Sequence, residues 1–196
     1  MCGRYEFDKE NSLLAHFYHR LPKTTSVQTG TVFPGKEVLV LGQNAHGQVK
    51  ATGMRWGFDG YEPNQLLINA RSETILTKPT FSTAFKTQRC VFPMTQFYEW
   101  TKDKQKYLFG ANDPLFVAGC YQLKETPYGL KPQAILLTRT ADQTVSQVHH
   151  RMPVIIEANK LRVWLQDTAF AAEYLKINHG PELLMSAVPD RQTRLF

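Results

Sequence analysis

Most apolar residues in the middle of the chain come in short runs of strand length, and this distribution limits the chain to a fold built mainly on a β-sheet. Residues 38–41 and 48–57 flank the turn-forming stretch Asn44-Ala45-His46-Gly47, a pattern that predicts a β-hairpin. Further strands are predicted at 66–68, 90–92, 97–100, 115–123 and 133–138. The middle of the chain is therefore mostly β.

Helices are predicted near both ends. Asp8 is a suitable N-cap for a helix whose apolar residues recur at helical spacing up to Leu21, and Pro22 closes it. Residues 158–166 and 168–176 also have helical patterns. A chain of 196 residues is long enough for one core and short for two. We therefore expect a single α+β domain over residues 1–196, with a curved, mainly antiparallel β-sheet or barrel-like core flanked by helices.

Composition excludes several classes of protein. Apolar residues make up 42% and charged residues 20%, with no apolar run long enough to span a membrane and no signal-peptide h-region. The cysteines Cys2, Cys90 and Cys120 are odd in number and far apart, which favours a reducing, cytoplasmic location. No CxxC pair occurs, and His149-His150 falls short of a four-ligand set, so we expect neither metal nor cofactor.

The charge balance is basic. Lys and Arg number 23 against 17 Asp and Glu, which gives a net charge of +6. A polyanionic partner such as nucleic acid is compatible with this excess, although net positive charge also serves solubility.

The amino terminus carries two nucleophiles on one residue. If Met1 is removed, Cys2 presents a free α-amine beside its thiol. An α-amine has a pKa of about 7.7–8.0, so part of it is neutral near pH 7 and can condense with an aldehyde. The thiol, whose pKa we expect cationic or His neighbours to lower, can then add to the imine and close a thiazolidine ring. Position alone leaves open that Cys2 is an ordinary second residue.

Four short segments place ionisable or amide side chains where strand periodicity favours apolar ones. They are Cys2-Gly3-Arg4, Asn69-Ala70-Arg71, Phe97-Tyr98-Glu99-Trp100 and His149-His150-Arg151-Met152-Pro153. Together with the surrounding MCGRY, INARSET, RCVFP and HHRMPVII sequences, they resemble the SOS-response-associated peptidase family. Members of that family are abasic-site processing proteins that cap abasic DNA by a thiazolidine cross-link from their terminal cysteine. The resemblance runs from Met1 to about Val188.

The resemblance implies catalytic roles for four residues. Cys2 would attack the ring-opened C1′ aldehyde of an abasic sugar, and Glu99 would shuttle protons, its pKa raised beside aromatic neighbours. Asn69 would hold the α-amine or a sugar oxygen. The family pattern His-any-Arg-Met-Pro places the functional histidine at His149, which would protonate the sugar ring oxygen at a pKa near ~6.5.

The resemblance also implies DNA contacts. Arg71 and Arg151 would grip phosphates because a guanidinium matches two phosphate oxygens, and Arg4 would assist them. Trp100 would stack on a base. Single-stranded DNA with abasic sites is thus the expected partner of a monomeric chain, with no membrane and no metal.

Each side chain taken alone also fits a structural role. Glu99 fits a surface strand carboxylate and Asn69 a strand-end residue. His149 and Trp100 fit core positions, and Arg71 or Arg151 an ordinary surface ion pair. Only the joint motifs favour the functional interpretation.

The chain departs from the family pattern in four places, one of which is a short tail from Ser186 to Phe196 where Val188-Pro189-Asp190 replaces the usual Val-Asn-like ending. Pro93-Met94-Thr95-Gln96 replaces the usual Pro-Ala-Asp-Gly, and Thr31 stands where an asparagine is usual. The loop 59–64 carries Tyr61 as its single aromatic residue, where some relatives have tryptophans. We expect a different backbone near Gln96 and weaker DNA stacking at the loop.

Other functions stay open at this point. A Schiff-base stage permits β-elimination, which is abasic-site lyase activity, and removal of Met1 by the chain itself would be a peptidase activity. Cys2 also suits an N-terminal-nucleophile cysteine amidohydrolase that uses its own amine as base. The third alternative is a non-catalytic single-stranded DNA-binding protein.

Overall fold

Five strands pair around a closed ring in a computed structural model that describes residues 2–44, 46–177 and 180–189. In chain order the strands are β1 (Tyr5–Phe7), β2 (Gly30–Val32), β3 (Glu37–Gln43), β4 (Val49–Trp56), β5 (Phe58–Asp59), β6 (Leu66–Leu67), β7 (Asn69–Arg71), β8 (Arg89–Trp100), β9 (Lys106–Thr126), β10 (Gly129–Thr140), β11 (Arg151–Pro153), β12 (Ile155–Ile156) and β13 (Leu184–Ala187). The ring runs β9–β10–β4–β3–β8 and returns to β9. The barrel-like core predicted from the sequence is therefore confirmed.

Other strands extend the barrel at its rim, while β5 and β6 pair with each other in a separate two-stranded sheet. β1 pairs with β8 and β2 with β1, while β12 and β13 pair with β9. β7 and β11 both pair with β10. Only the pairings of β10 with β4 and β7 are parallel among the strands that the structure describes, so the sheet is mainly antiparallel as expected.

Four short α-helices flank the barrel in the part of the chain that the structure describes. They are α1 (Ser12–Tyr18), α2 (Pro79–Thr87), α3 (Leu161–Gln166) and α4 (Thr168–Tyr174). The predicted N-cap at Asp8 is wrong, because the side chain of Asn11 accepts from the backbone amides of Leu13 and Leu14. Asp8 instead accepts from the amide of Glu10, in the turn before the helix. An Asx side chain serves either role, so sequence alone did not distinguish them.

The predicted hairpin is confirmed as β3 and β4, which pair from Glu37 opposite Arg55 to Gln43 opposite Val49. Inward-facing side chains of the ring are fully buried, including Trp56, Phe92 and Ile135. Burial of such large apolar side chains stabilises the fold by about 1.5–3 kcal/mol each. The rigid barrel then serves as a support for the polar segments at its rim.

Residues 90–100 form one strand rather than two segments around Pro93. The register between β8 and β9 shifts between Met94 and Gln96, which marks a β-bulge. Gln96 pairs with Gly110, and a Cβ built at that glycine would come 2.9 Å from Cγ of Gln96. The segment that lacks the expected turn glycine is thus a bulge inside a continuous strand.

Arg89 joins two helices to the start of β8. Its buried guanidinium donates to the backbone oxygens of Phe85, Lys86, Trp164 and Leu165 and to the hydroxyl of Thr168. These oxygens lie at the carboxyl ends of α2 and α3, where carbonyl groups lack intrahelical partners. None of the helices in the described part of the chain has the length and apolar character needed to cross a membrane.

Candidate functional site

The amino-terminal segment lies inside the protein rather than on its surface. Cys2 is fully buried. The backbone amide of Tyr98 donates to the carbonyl of Arg4 at 3.0 Å, which continues the pairing of β1 with β8 past its last ladder pair. Asn69, at the start of β7, donates from Nδ2 to the carbonyl of Cys2 at 3.0 Å. Two strands of the barrel rim therefore fix the position of Cys2.

The Asn69 amide uses only its nitrogen in hydrogen bonds with the described residues. Its Oδ1 atom is buried and accepts no hydrogen bond within the described residues. An unsatisfied buried acceptor is unusual in a folded protein. The position of Oδ1, on an amide already bound to the Cys2 backbone, suits an additional N–H donor from that residue or from a ligand.

Burial suppresses ionisation of the Cys2 thiol. Desolvation raises its pKa well above the ordinary value, and the charge of Glu99 adds to the effect. The sulfur lies 3.8 Å from the carbonyl oxygen of Arg4, the acceptor of a weak S–H hydrogen bond. The expected lowering of the thiol pKa is therefore wrong, because no cationic side chain outweighs the burial.

Glu99 is a buried carboxyl group near the end of β8, with 1% of its surface exposed. Burial is the main reason that its pKa rises to about 7. Near neutral pH this carboxyl is therefore present in both its protonated and ionised forms. Such a group both donates and accepts protons without a metal or cofactor.

His149 faces Glu99 across the site. Its Nδ1 lies 3.9 Å from Oε2 of Glu99, 3.0 Å from the backbone nitrogen of Arg151 and 3.1 Å from the backbone oxygen of that residue. The nitrogen can only donate and the oxygen can only accept, so the tautomer of the ring decides which of the two contacts Nδ1 makes as a hydrogen bond. Desolvation lowers the pKa of His149, so the neutral ring prevails at pH 7. The ring also stacks on that of exposed His150, with centroids 4.5 Å apart.

The three predicted phosphate-binding arginines have different environments. Arg151 is buried and makes a bidentate ion pair with Glu73, at 2.6 and 2.9 Å, and donates to the carbonyl of Thr138 at 2.7 Å. These contacts occupy both terminal nitrogens of its guanidinium. Arg71, in contrast, is exposed at the end of β7. Within the described residues the guanidinium groups of Arg71 and Arg4 make no hydrogen bond or ion pair with a protein acceptor.

Trp100 is half-buried at the end of β8 and stacks on Tyr98, with ring centroids 6.0 Å apart. The Tyr98 hydroxyl donates to Glu6 at 2.6 Å, and Thr31 donates to the same carboxyl oxygen at 2.6 Å. The threonine at the asparagine position is thus bound to the chain itself. In the loop 59–64, Tyr61 is exposed and its hydroxyl bonds to that of Thr80.

The structure brings together Cys2, Asn69, Glu99 and His149, which the sequence places on four separate segments. Sequence reasoning missed Glu73, the partner of Arg151, and Phe33, whose ring lies against Arg4. Glu73 was inside the quoted INARSET motif, but nothing in a single sequence pairs it with residue 151. No group of three or more His, Cys, Asp or Glu side chains suited to a metal occurs in the described ranges 2–44, 46–177 and 180–189.

Comparison with known sequences relates the chain to one protein family. A family model described as SOS response associated peptidase (SRAP) matches residues 1–191. The abasic site processing protein YoqW of Bacillus subtilis is 27% identical over 196 residues, which cover 90% of this chain and 85% of that protein. The abasic site processing protein YedK of Escherichia coli is 26% identical over 192 residues, with coverage of 90% and 85%.

Solved structures share the fold. A protein from Bordetella bronchiseptica superposes with a TM-score of 0.80 at 23% identity, covering 96% of this chain and all of the other. A protein from Bacteroides thetaiotaomicron gives a TM-score of 0.78 at 19% identity, covering 96% and 93%. At these identities the likeness establishes the architecture alone.

Proposed function

Because the chain belongs to the SOS response-associated peptidase family, we propose that it processes abasic sites in single-stranded DNA through a covalent thiazolidine link to Cys2. The observation that carries the proposal is the buried Glu99 carboxyl, with a pKa of about 7, in the same buried site as the Cys2 thiol. The abasic-site processing relatives named above support the substrate class.

The reaction needs no cofactor. Once Met1 is removed, the Cys2 nitrogen adds to the C1′ aldehyde of the opened sugar, and the resulting carbinolamine loses water to give an imine. The thiol sulfur then adds to the imine carbon while the nitrogen takes up a proton. One C–N bond and one C–S bond form, and one water leaves.

Glu99 is the proton carrier of this sequence. In its protonated form it donates to the departing hydroxyl of the carbinolamine, and in its ionised form it accepts the proton of the thiol. A local base is required because burial keeps the Cys2 thiol protonated at neutral pH. Asn69 orients the terminal residue through the Cys2 carbonyl, and its Oδ1 accepts from the new α-amine.

His149 acts as a neutral hydrogen-bond donor. In the tautomer that we propose for the DNA-bound state, Nδ1 accepts from the Arg151 amide and Nε2–H donates to the sugar ring oxygen as the ring opens. The role differs from that of an imidazolium acid, because the lowered pKa leaves little charged histidine at pH 7.

The DNA strand lies across the rim beside this site. Arg71 and Arg4 bind phosphates, since their guanidinium groups have no acceptor among the described residues, and Trp100 stacks on a base. Arg151 positions His149 through its backbone amide and is itself held by Glu73. We infer that residues 1–196 act as one domain, in monomeric form, in the cytoplasm.

Two further activities follow from the same chemistry. Exposure of Cys2 requires cleavage of the Met1–Cys2 peptide bond, either by an aminopeptidase or by this site itself. The imine also acidifies the C2′ protons of the sugar, so transfer of one of them to a base expels the 3′ phosphate and cuts the strand. Rapid thiazolidine closure suppresses this lyase reaction because it consumes the imine.

The decisive experiment is intact-protein mass measurement under denaturing conditions, before and after incubation with a single-stranded oligonucleotide bearing one abasic site. We expect loss of Met1, followed by a species whose mass is the sum of protein and DNA less one water. An undamaged oligonucleotide of the same sequence is the control. A processed protein without adduct would overturn the proposal and favour the amidohydrolase or the non-covalent DNA binder.

A further inference from the structure

Arg4 lies between two aromatic rings beside the site. Its Cζ is 4.7 Å from the ring centroid of Phe33 and 5.0 Å from that of Trp100, with Tyr98 at 5.8 Å. The strand register explains the first contact. Tyr5 is opposite Val32 in the β1–β2 ladder, so one step further along both strands Arg4 is opposite Phe33.

The charge of Arg4 is not neutralised within the described residues. The carboxyl group of Glu6, two residues away, already accepts from Tyr98 and Thr31 at 2.6 Å each. The Nε atom of Arg4 is buried and has no hydrogen-bond acceptor. A flat guanidinium tolerates stacking on both faces while its N–H edges stay available, which an ammonium group does not.

We propose that Phe33 is a positioning residue that holds the Arg4 guanidinium on edge toward a phosphate of the bound strand. Phe33 is 37% exposed, so it forms the outer wall of the stack, whereas Trp100 forms the inner wall. Without the outer ring the Arg4 side chain gains rotamer freedom and loses its fixed direction. The inference rests on the proposed function, since it requires that a DNA strand pass over this rim.

The test measures non-covalent binding of undamaged single-stranded DNA as a function of salt. The affinity falls as salt rises, and each phosphate contact contributes about 0.7 to the magnitude of the slope of log affinity against log salt for single strands. We expect Phe33→Ala and Arg4→Gln each to make the slope less steep by about that amount, and the double variant to make it no less steep than either single variant. Phe33→Tyr, which keeps the ring, should retain the wild-type slope.

Phe33→Leu separates positioning from folding, because it keeps an apolar side chain without the aromatic face. It should behave like Phe33→Ala in slope while its thermal midpoint stays near that of the wild type. A wild-type slope in Phe33→Ala and Phe33→Leu, or slope changes that add in the double variant, would overturn the inference. Undamaged DNA forms no adduct, so a failed cross-linking assay on abasic DNA would refute the proposed function and leave this measurement interpretable.

Discussion

The Nδ1 atom of His149 lies 3.9 Å from Oε2 of Glu99, yet the pair is not an ordinary ion pair at neutral pH. Burial raises the pKa of the carboxyl to about 7 and lowers that of the ring. Near pH 7 the carboxyl is therefore present in both its protonated and its ionised form. In the proposed mechanism Glu99 acts as the acid and base of the site, and His149 as a neutral donor.

Replacement of Glu99 by Gln should slow cross-linking by about 10²-fold or more, the usual contribution of a positioned acid–base group. The amide keeps the shape of the side chain but cannot transfer the proton. Single-turnover rates on abasic DNA, followed on denaturing gels, measure the effect. The matched control Glu10→Gln changes an exposed carboxyl and should react at the wild-type rate. Equal rates for the two variants would exclude Glu99 as the proton carrier.

The raised pKa of Glu99 should also appear in the pH dependence of stability. The folded carboxyl titrates near 7 and the unfolded one near 4.5, so the folded state binds more protons between these values. Stability from this group is complete below about pH 4.5 and is lost as the pH rises to about 7. The thermal midpoint of the wild type relative to Glu99→Gln should fall from pH 4.5 to 7 and level off above it. A flat difference would mean that the pKa is ordinary.

Replacement of Cys2 by Ala should convert cross-linking into strand cleavage. The variant keeps the α-amine and still forms the imine, but no thiol closes the ring. The imine then partitions to β-elimination, and borohydride traps a reduced adduct. Product DNA is measured on a sequencing gel. Cleavage no faster than in the wild type would indicate that the imine does not accumulate at this site.

Arg71→Gln and Arg151→Gln should affect different properties. The first removes an exposed guanidinium that has no partner within residues 2–44, 46–177 and 180–189, and should weaken binding of single-stranded DNA, with the magnitude of the salt slope lower by about 0.7. The second breaks the contacts with Glu73 and Thr138 and should lower the thermal midpoint with little change in slope. Arg162→Gln, at an exposed position of α3, is the control for both. An unchanged slope in Arg71→Gln would remove that residue from the DNA interface.

Arg89→Leu should destabilise the chain by about 3 kcal/mol or more, because each unsatisfied buried carbonyl costs roughly 1–3 kcal/mol. The carbonyl oxygens of Phe85, Trp164 and Leu165 would lose this donor together, whereas that of Lys86 keeps its bond from the Thr168 hydroxyl. Urea unfolding measures the loss, with Arg162→Leu as the exposed control. Equal midpoints for the two variants would show that water replaces the guanidinium at no cost.

The sequence predicted a curved, mainly antiparallel sheet or barrel-like core because strand-length apolar runs and a strong turn signal are local features. It left open the choice between an open sheet and a closed ring, since the pairing of β10 with β4 depends on contacts between distant residues. It placed Cys2, Asn69, Glu99 and His149 in one site through joint motifs rather than through spacing. Burial of Cys2 raises a thiol pKa that the sequence led us to expect lowered. Arg151, expected to bind a phosphate, is paired with Glu73. Neither could be predicted locally, because both depend on the packed structure.

The position of β1 between β2 and β8 affects how long a DNA adduct would persist. If a reactive residue lies on an unpaired terminal segment, proteases and nucleophiles in solution can reach its covalent bond to DNA. Cys2, the residue proposed to join the DNA, lies just before a strand paired on both edges. Detachment by digestion would then require release of that strand from the sheet, so we expect the lifetime of the proposed adduct to follow the rate at which β1 opens.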